Sequence, residues 1–464
     1  MRKVVTLLLI IFSLNGFSQE NQILDKPKVD KRVELLSIIA RLADYNEYSN
    51  KIFKLYTDRI YKHFDPYKEH ELIKFAAKLR EERGVSYDAV MAMAIHLDDN
   101  LNPRVEFTDE LPESRWGKEN TYKFVTLLKE FYKDARCEEF FDSNKDLYKE
   151  VSRRFLPVYE ELDIKWYSSF YGKEPSEKFK IVNGLGTGGG NYGVSVIPPS
   201  NEKEVYAIMG TWQMDSLGIP IFKKEGYFPT LLHEFNHSFV NHLIDINEDA
   251  LKESGEKIFE KVKKEMAQQA YGSWKTVMYE ALVRAAVIKY MKDHNFDQTA
   301  IDRETYTQLF RSFIWIRELV AELDKYSQDR ETYPTLESYM PRIIEAYKIY
   351  VDNFDKYAEE LDKERPIIVS IDEFANGDTD VDPTIETVTV NFDRPLIGHW
   401  YGVSLGGTNS PKDKYRLGNE PPQKDNKSLR LFFKLESNKE YTITLIEKHF
   451  STPNKNYEIN FKTE

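Results

Sequence analysis

The spacing of apolar residues changes at Pro366, and that change constrains the fold more than any other feature of the chain. Before it, apolar side chains recur at helical intervals. Phe124, Leu127, Leu128 and Phe131 fall at i, i+3, i+4 and i+7, and Leu72, Phe75, Ala76 and Leu79 repeat the stripe ahead of a stop at Gly84. Helices are therefore expected over residues 31–171 and again from near Pro229 to residue 363, with 306–323 and 336–354 the longest stretches. Between these blocks, residues 179–182, 192–197 and 205–209 read as three strands, the second ended by Pro198 and Pro199. After Pro366 the period is two: Val388, Val390 and Phe392, then Tyr441, Ile443 and Leu445, then Tyr457, Ile459 and Phe461 alternate with polar residues. A period of two suits one face of a strand and not one face of a helix, so the chain holds two architectures. The expected class is α+β: a mainly helical domain with a small sheet over residues 19–365, followed by an all-β sandwich over 366–464.

Residues 1–18 read as an export signal. Arg2 and Lys3 form a positive start, residues 4–14 are almost wholly apolar, and Gly16 and Ser18 are small residues at the spacing a signal peptidase accepts. The apolar run is shorter than a membrane span requires, and no later segment meets that requirement. The expectation is a secreted or periplasmic bacterial protein with no transmembrane segment once the signal is removed. Cleavage takes away Arg2 and Lys3 and moves the net charge from −12 to −14. An acidic chain without a concentrated basic run is a poor match for nucleic acid. Cys137 is the sole cysteine, so no internal disulfide forms, and any zinc must be held by imidazoles and carboxylates. Gly184, Gly186, Gly188, Gly189 and Gly190 resemble a phosphate loop only loosely. No Gly-Lys-Ser/Thr follows them and no helix opens after them, which favours a tight turn beside a sheet edge.

The chemistry concentrates in His233-Glu234-Phe235-Asn236-His237. Two histidines four residues apart project from one face of a helix, one turn apart, and both imidazoles can reach one tetrahedral ion. Glu234 sits beside them, placed to take a proton from a water that zinc acidifies. Leu231, Leu232 and Phe239 give the motif apolar backing, no glycine or proline interrupts residues 231–240, and Pro229 stands near the expected helix start.

A catalytic zinc site needs a third protein ligand. His242 lies five residues beyond His237, about 140° around a helix, and faces away. Val240 and Leu243 occupy the positions where a metzincin would place its glycine and third histidine, which excludes that class. Glu280 is the strongest remaining choice. It and Arg284 are the only charges in the apolar run of residues 277–288, and they share one helix face at i and i+4. Glu280 reads either as a ligand steadied by Arg284 or as half of a private buried ion pair. Glu248, Asp249 and Glu253 are weaker alternatives in a charged, solvated stretch. Asn191, Tyr192 and Gly193 begin the expected edge strand, where an extended peptide could add itself to the sheet. Tyr192 or another tyrosine is a possible stabiliser of an oxyanion.

Two histidines with a downstream glutamate on a second helix resemble the gluzincin class of zinc metallopeptidases. The stretch His-Glu-Phe-Asn-His-Ser-Phe-Val-Asn, with Tyr-Glu-Ala-Leu-Val-Arg-Ala further on, is similar to a bacterial family catalogued as a domain of unknown function, over roughly residues 30–360. The resemblance implies a zincin-like fold, zinc held by His233, His237 and Glu280, and Glu234 as the base. The 42 residues between His237 and Glu280 exceed the interval in compact gluzincins. The tail resembles bacterial immunoglobulin-like modules through Asn376-Gly377-Asp378, Val381-Asp382-Pro383 and residues 387–395, which implies a spacer or a binder of protein or carbohydrate. The expected activity is hydrolysis of peptide bonds in a peptide or protein substrate. The alternatives are a non-catalytic zinc-containing surface binding protein and a zinc hydrolase of non-peptide amide bonds.

Overall fold

A computed structural model describes residues 24–174, 177–396, 400–404, 416–417, 427–448 and 455–464. The expected export signal over residues 1–18 lies outside them. The chain opens on a short strand, β1 (Leu24–Lys28), and then runs through eight helices: α1 (Lys31–Leu42), α2 (Lys54–Phe64), α3 (Glu71–Arg83), α4 (Asp88–Ile95), α5 (Lys118–Asp134), α6 (Cys137–Ser143), α7 (Lys145–Glu160) and α8 (Ile164–Tyr171). The stripes read from sequence are the buried faces of α3 and α5, and Gly84 closes α3 in the left-handed conformation. β1 carried no sequence signal, because Lys26-Pro27-Lys28 breaks any alternation. It is a strand because its backbone pairs in parallel with β2 (Lys178–Gly184).

β2, β3 (Tyr192–Val196) and β4 (Glu204–Gly210) fall where the apolar runs placed them. The sheet order is β1-β2-β4-β3, with β2 and β4 parallel and β3 antiparallel on the edge. β4 is buried along nearly all its length, as a strand covered on both faces must be. Helices α9 (Lys224–Ile246), α10 (Glu248–Gln268), α11 (Trp274–Asp293), α12 (Gln298–Phe310), α13 (Ile316–Gln328) and α14 (Leu336–Lys363) follow. Two expectations are corrected here. Residues 306–323 are not one helix: α12 ends at Phe310, Ser312 takes a φ of 73°, and α13 starts afresh at Ile316. Pro229 is not at the helix start: α9 begins at Lys224, so the proline sits inside it, where the missing N–H removes a bond to the Glu225 carbonyl.

The glycine-rich turn between β2 and β3 is tied down from below. Glu34, fully buried on α1, accepts the backbone N–H groups of Leu185 at 2.7 Å and Gly186 at 3.0 Å. Those are the donors a phosphate would need, and the protein's own carboxylate already takes them. Gly188 has a φ of 67°, and a Cβ there would overlap the Glu47 carbonyl, so no other residue fits this turn. Burial pushes the Glu34 carboxyl up to about 7, while the two N–H groups, Tyr56 and Arg41 pull the other way. An unfolded chain titrates this group near 4.5. Between those values the folded state holds a proton the unfolded state has lost, so stability falls as pH rises through this window. Urea unfolding from pH 4 to 8 is expected to show the wild type losing on the order of 3 kcal/mol relative to Glu34→Gln, with no further divergence above about pH 7.

Past α14, the described residues form only strands: β5 (Ile368–Ile371), β6 (Thr387–Phe392), β7 (Trp400–Ser404), β8 (Arg416–Leu417), β9 (Ser428–Phe432), β10 (Glu440–Lys448) and β11 (Lys455–Lys462). They make two antiparallel sheets, ordered β5-β6-β9-β8 and β11-β10-β7. Val388, Val390, Leu431, Ile443, Leu445 and Ile459 from both sheets share one apolar cluster, separate from the core of the helical part. The chain is thus mixed α and β, mostly helical with small sheets, and compatible with α+β. None of the described helices is long and apolar enough to cross a membrane.

Candidate metal centre

Two helices supply the centre. α9 turns Leu231, Leu232, Phe235, Asn236, Phe239 and Val240 into the core, which leaves His233, Glu234 and His237 on the opposite, half-buried face. α11 packs against α9 and brings up Glu280. Asn236, inside the motif, fastens the two together: its Nδ2 donates to the Val283 carbonyl at 3.3 Å, and its Oδ1 accepts the Tyr171 hydroxyl at 3.0 Å.

The Nε2 atoms of His233 and His237 are 3.2 Å apart. Glu280 Oε2 is 3.5 Å from the first and Oε1 is 3.5 Å from the second. Three ligand atoms at about 2.0–2.1 Å from a tetrahedral zinc would stand about 3.3 Å from each other. The separation of the two Nε2 atoms matches an edge of such a tetrahedron, and each imidazole has a Glu280 oxygen at a comparable distance. His237 Nδ1 lies 3.1 Å from Asn241 Oδ1. An amide oxygen only accepts, so Nδ1 carries the proton and Nε2 presents its lone pair to the triad. Burial drives the His233 imidazole well below its ordinary range, which keeps it neutral. Two imidazoles and one carboxylate make the donor set of a divalent cation. Among the described residues, this is the one group of histidine, cysteine and carboxylate side chains arranged to hold a metal.

Glu280 is placed for both roles that its sequence context left open. Its Oε2 accepts Arg284 Nη2 at 2.7 Å and the Tyr271 hydroxyl at 3.0 Å, and Arg284 Nη2 also reaches the tyrosine oxygen at 2.8 Å. Oε1 remains for a cation. Burial pushes this carboxyl up, and the Arg284 charge, helped by the Tyr271 hydroxyl, outweighs it, holding Glu280 at about 2. Arg284 in turn donates Nη1 to Gln308 Oε1 at 2.8 Å. Glu234 stands beside the triad, its carboxyl pushed up to about 7 by burial.

The triad opens into a cleft of about 1160 Å³, bordered by His233, Glu234, Asn191, Tyr271 and Arg284 among others. Asn191 lines it while its Oδ1 accepts the Gly210 N–H at 2.9 Å. Gly193 is closer still, since any Cβ there would overlap Glu234 Oε2. Tyr192 is misplaced by the sequence reading. Strand alternation turns it to the other face of the sheet from Gly193, where its ring stacks on Tyr48 with centroids 6.0 Å apart, so it cannot serve an oxyanion here. His242 is exposed and outside the triad, and Glu248 is engaged with Lys275.

Sequence reasoning missed Tyr271, Asn241 and Gln308. Asn241 had a signal, standing four residues beyond His237 on the same helix face. Tyr271 lies in the turn between α10 and α11, where no periodicity marks it. Groups that hold a ligand's far side commonly change metal affinity by 10- to 100-fold when removed. Asn241→Ala is expected to weaken divalent metal binding by about that factor, read by competition with a chromogenic chelator, without loss of fold.

A search of curated proteins finds no match to this chain, and a search of solved structures finds none either. One family model matches residues 26–346, more than half of the chain, and its span includes β2 through β4 and all three residues of the triad. The chain belongs to the family described as Domain of unknown function (DUF4932).

Proposed function

We propose that this protein is an exported zinc-dependent peptidase of the gluzincin kind. The observation that carries the reading is the three-cornered meeting of His233, His237 and Glu280, with Glu234 beside it and a cleft in front. Zinc fits the donor set, and when bound there it supplies a Lewis acid that polarises water and a carbonyl oxygen. The chain's own residues do the rest. Glu234 accepts the proton of the attacking water through its carboxylate and returns it to the leaving amine. Arg284 and Tyr271 hold Glu280 by one oxygen, which fixes how the other is presented. Among the described residues β3 pairs only with β4 and forms the edge of its sheet, so an extended peptide can add along it and pass Gly193 and Glu234. A base next to a purely structural ion has no task, which favours this reading over a non-catalytic surface binder. The residues after α14 are read as an immunoglobulin-like module that spaces the peptidase or binds protein or carbohydrate.

The test is direct. Wild-type protein is expected to contain about one equivalent of zinc by elemental analysis and to cleave members of a peptide library, with chelation abolishing cleavage and zinc restoring it. Zinc without cleavage of any peptide, alongside cleavage of cell-wall amides, would move the reading to the non-peptide hydrolase. Gly193→Ala offers a finer check. The new methyl displaces the end of a flexible side chain and not the backbone, so folding and zinc content stay unchanged while the base moves. Its kcat is expected to fall roughly 10- to 100-fold.

A further inference from the structure

α12 and its C-capping residue, Arg311, form one wall of the cleft. Ala300, Arg303, Glu304, Thr307, Gln308 and Arg311 line it, at helical spacings of three and four. The face these residues make is open to the cleft and is polar and charged along its length. Some of that polarity is satisfied internally. Gln308 accepts Arg284 at 2.8 Å and donates to Glu304 at 2.5 Å. Lys224, on the facing side, pairs with Glu161 at 2.9 Å.

Arg303 and Arg311 differ. Elsewhere the chain's arginines habitually hold a carboxylate, as Arg32, Arg80, Arg104, Arg154 and Arg317 do. Among the described residues, neither guanidinium on α12's cleft face has a carboxylate within ion-pair distance or donates a side-chain hydrogen bond. Arg311 is the one tied to the metal centre. It lies within electrostatic reach of Glu280, Arg284 and His233, whereas Arg303 also borders a neighbouring hollow beside Trp212 and Tyr227. Enclosure pulls the Arg311 guanidinium down, and the like charge of Arg284 adds to that. Yet the residue stays exposed to the cleft. Glu304 and Glu280 act on it only from beyond ion-pair distance, so a guanidinium open to the cleft is left to take its close anion from there. A planar carboxylate suits it best, through two parallel N–H···O bonds.

We propose that Arg311 is a specificity-determining residue that selects peptides presenting a carboxylate beside the reacting bond. The inference rests on reading this cleft as a peptide site. A peptide has two sources of that anion: its C-terminal carboxylate, which would make cleavage terminal, and the side chain of an aspartate or glutamate, which would make it internal.

The test uses the full chain, zinc-loaded and carrying Glu234→Gln so that bound peptide persists. N-acetyl-trialanine is titrated as the free acid and as the amide, and an amidated peptide with one aspartate is titrated against its asparagine twin. One of the two pairs is expected to show at least tenfold tighter binding of the carboxylate member, and the pair that does so names the source. Adding Arg311→Gln should remove the preference while leaving the neutral peptide's affinity unchanged, and Arg311→Lys should keep part of it. Equal binding within both pairs overturns the proposal. So does a preference that survives Arg311→Gln, because the carboxylate would then be bound by the metal. If the wild type cleaves no peptide while the Arg311-dependent preference stands, the hydrolase reading fails and this one holds.

Discussion

Glu234→Gln is expected to lower peptide hydrolysis by about 100- to 10,000-fold while leaving bound zinc unchanged. The carboxamide keeps the size and packing of the carboxylate but cannot accept a proton from water. None of the three ligand atoms belongs to this residue, so the metal site keeps its shape. Two measurements side by side therefore decide the matter: zinc per chain by elemental analysis, and kcat on a peptide that the wild type cleaves. A variant that retains full activity removes Glu234 from the chemistry. A variant that loses zinc with activity shows the residue supporting the ligands, and the assignment of a base would have to be sought elsewhere in the cleft.

Glu280→Ala carries the second large effect, and it acts on two quantities. Zinc affinity should collapse, because two imidazoles alone do not make a closed site. Stability should fall as well, by about 3–5 kcal/mol, because Arg284 is 5% exposed and loses the carboxylate that neutralises it. The two losses separate the roles of this side chain. A protein destabilised in urea but still binding one zinc per chain would mean that Glu280 is only the arginine's partner. A protein that loses zinc and is destabilised even when metal-free supports a division of labour in which one oxygen holds Arg284 and Tyr271 and the other is left for the cation.

Most of this centre was legible because it obeys local periodicity. His233 and His237 are related by one helical turn, and Glu280 stood out as a charge inside an apolar helix. The same logic placed β2, β3, β4 and the alternating strands after Pro366. What escaped is what depends on distant partners. β1 is a strand only through pairing with β2, and its own composition argues against it. Nothing in its own stretch of sequence marks Glu34, yet it is buried to receive two backbone N–H groups about 150 positions away. The edge strand was found but its facing was not. A single-residue alternation decides whether Tyr192 or Gly193 meets the base, and that follows from how the sheet packs on α9. The split of residues 306–323 into α12 and α13 turns on Ser312, a residue type that gives no warning of a left-handed backbone.

Pro229 has a further consequence. One turn ahead of His233, the ladder of α9 lacks a rung, and the oxygen of Glu225 is denied the donor that a continuous helix would give it. Glu225, Gly226 and Pro229 border the same cleft as the triad. The wall of that cleft thus contains a helix turn with one main-chain acceptor left out of the ladder, and replacing Pro229 by alanine would restore the rung.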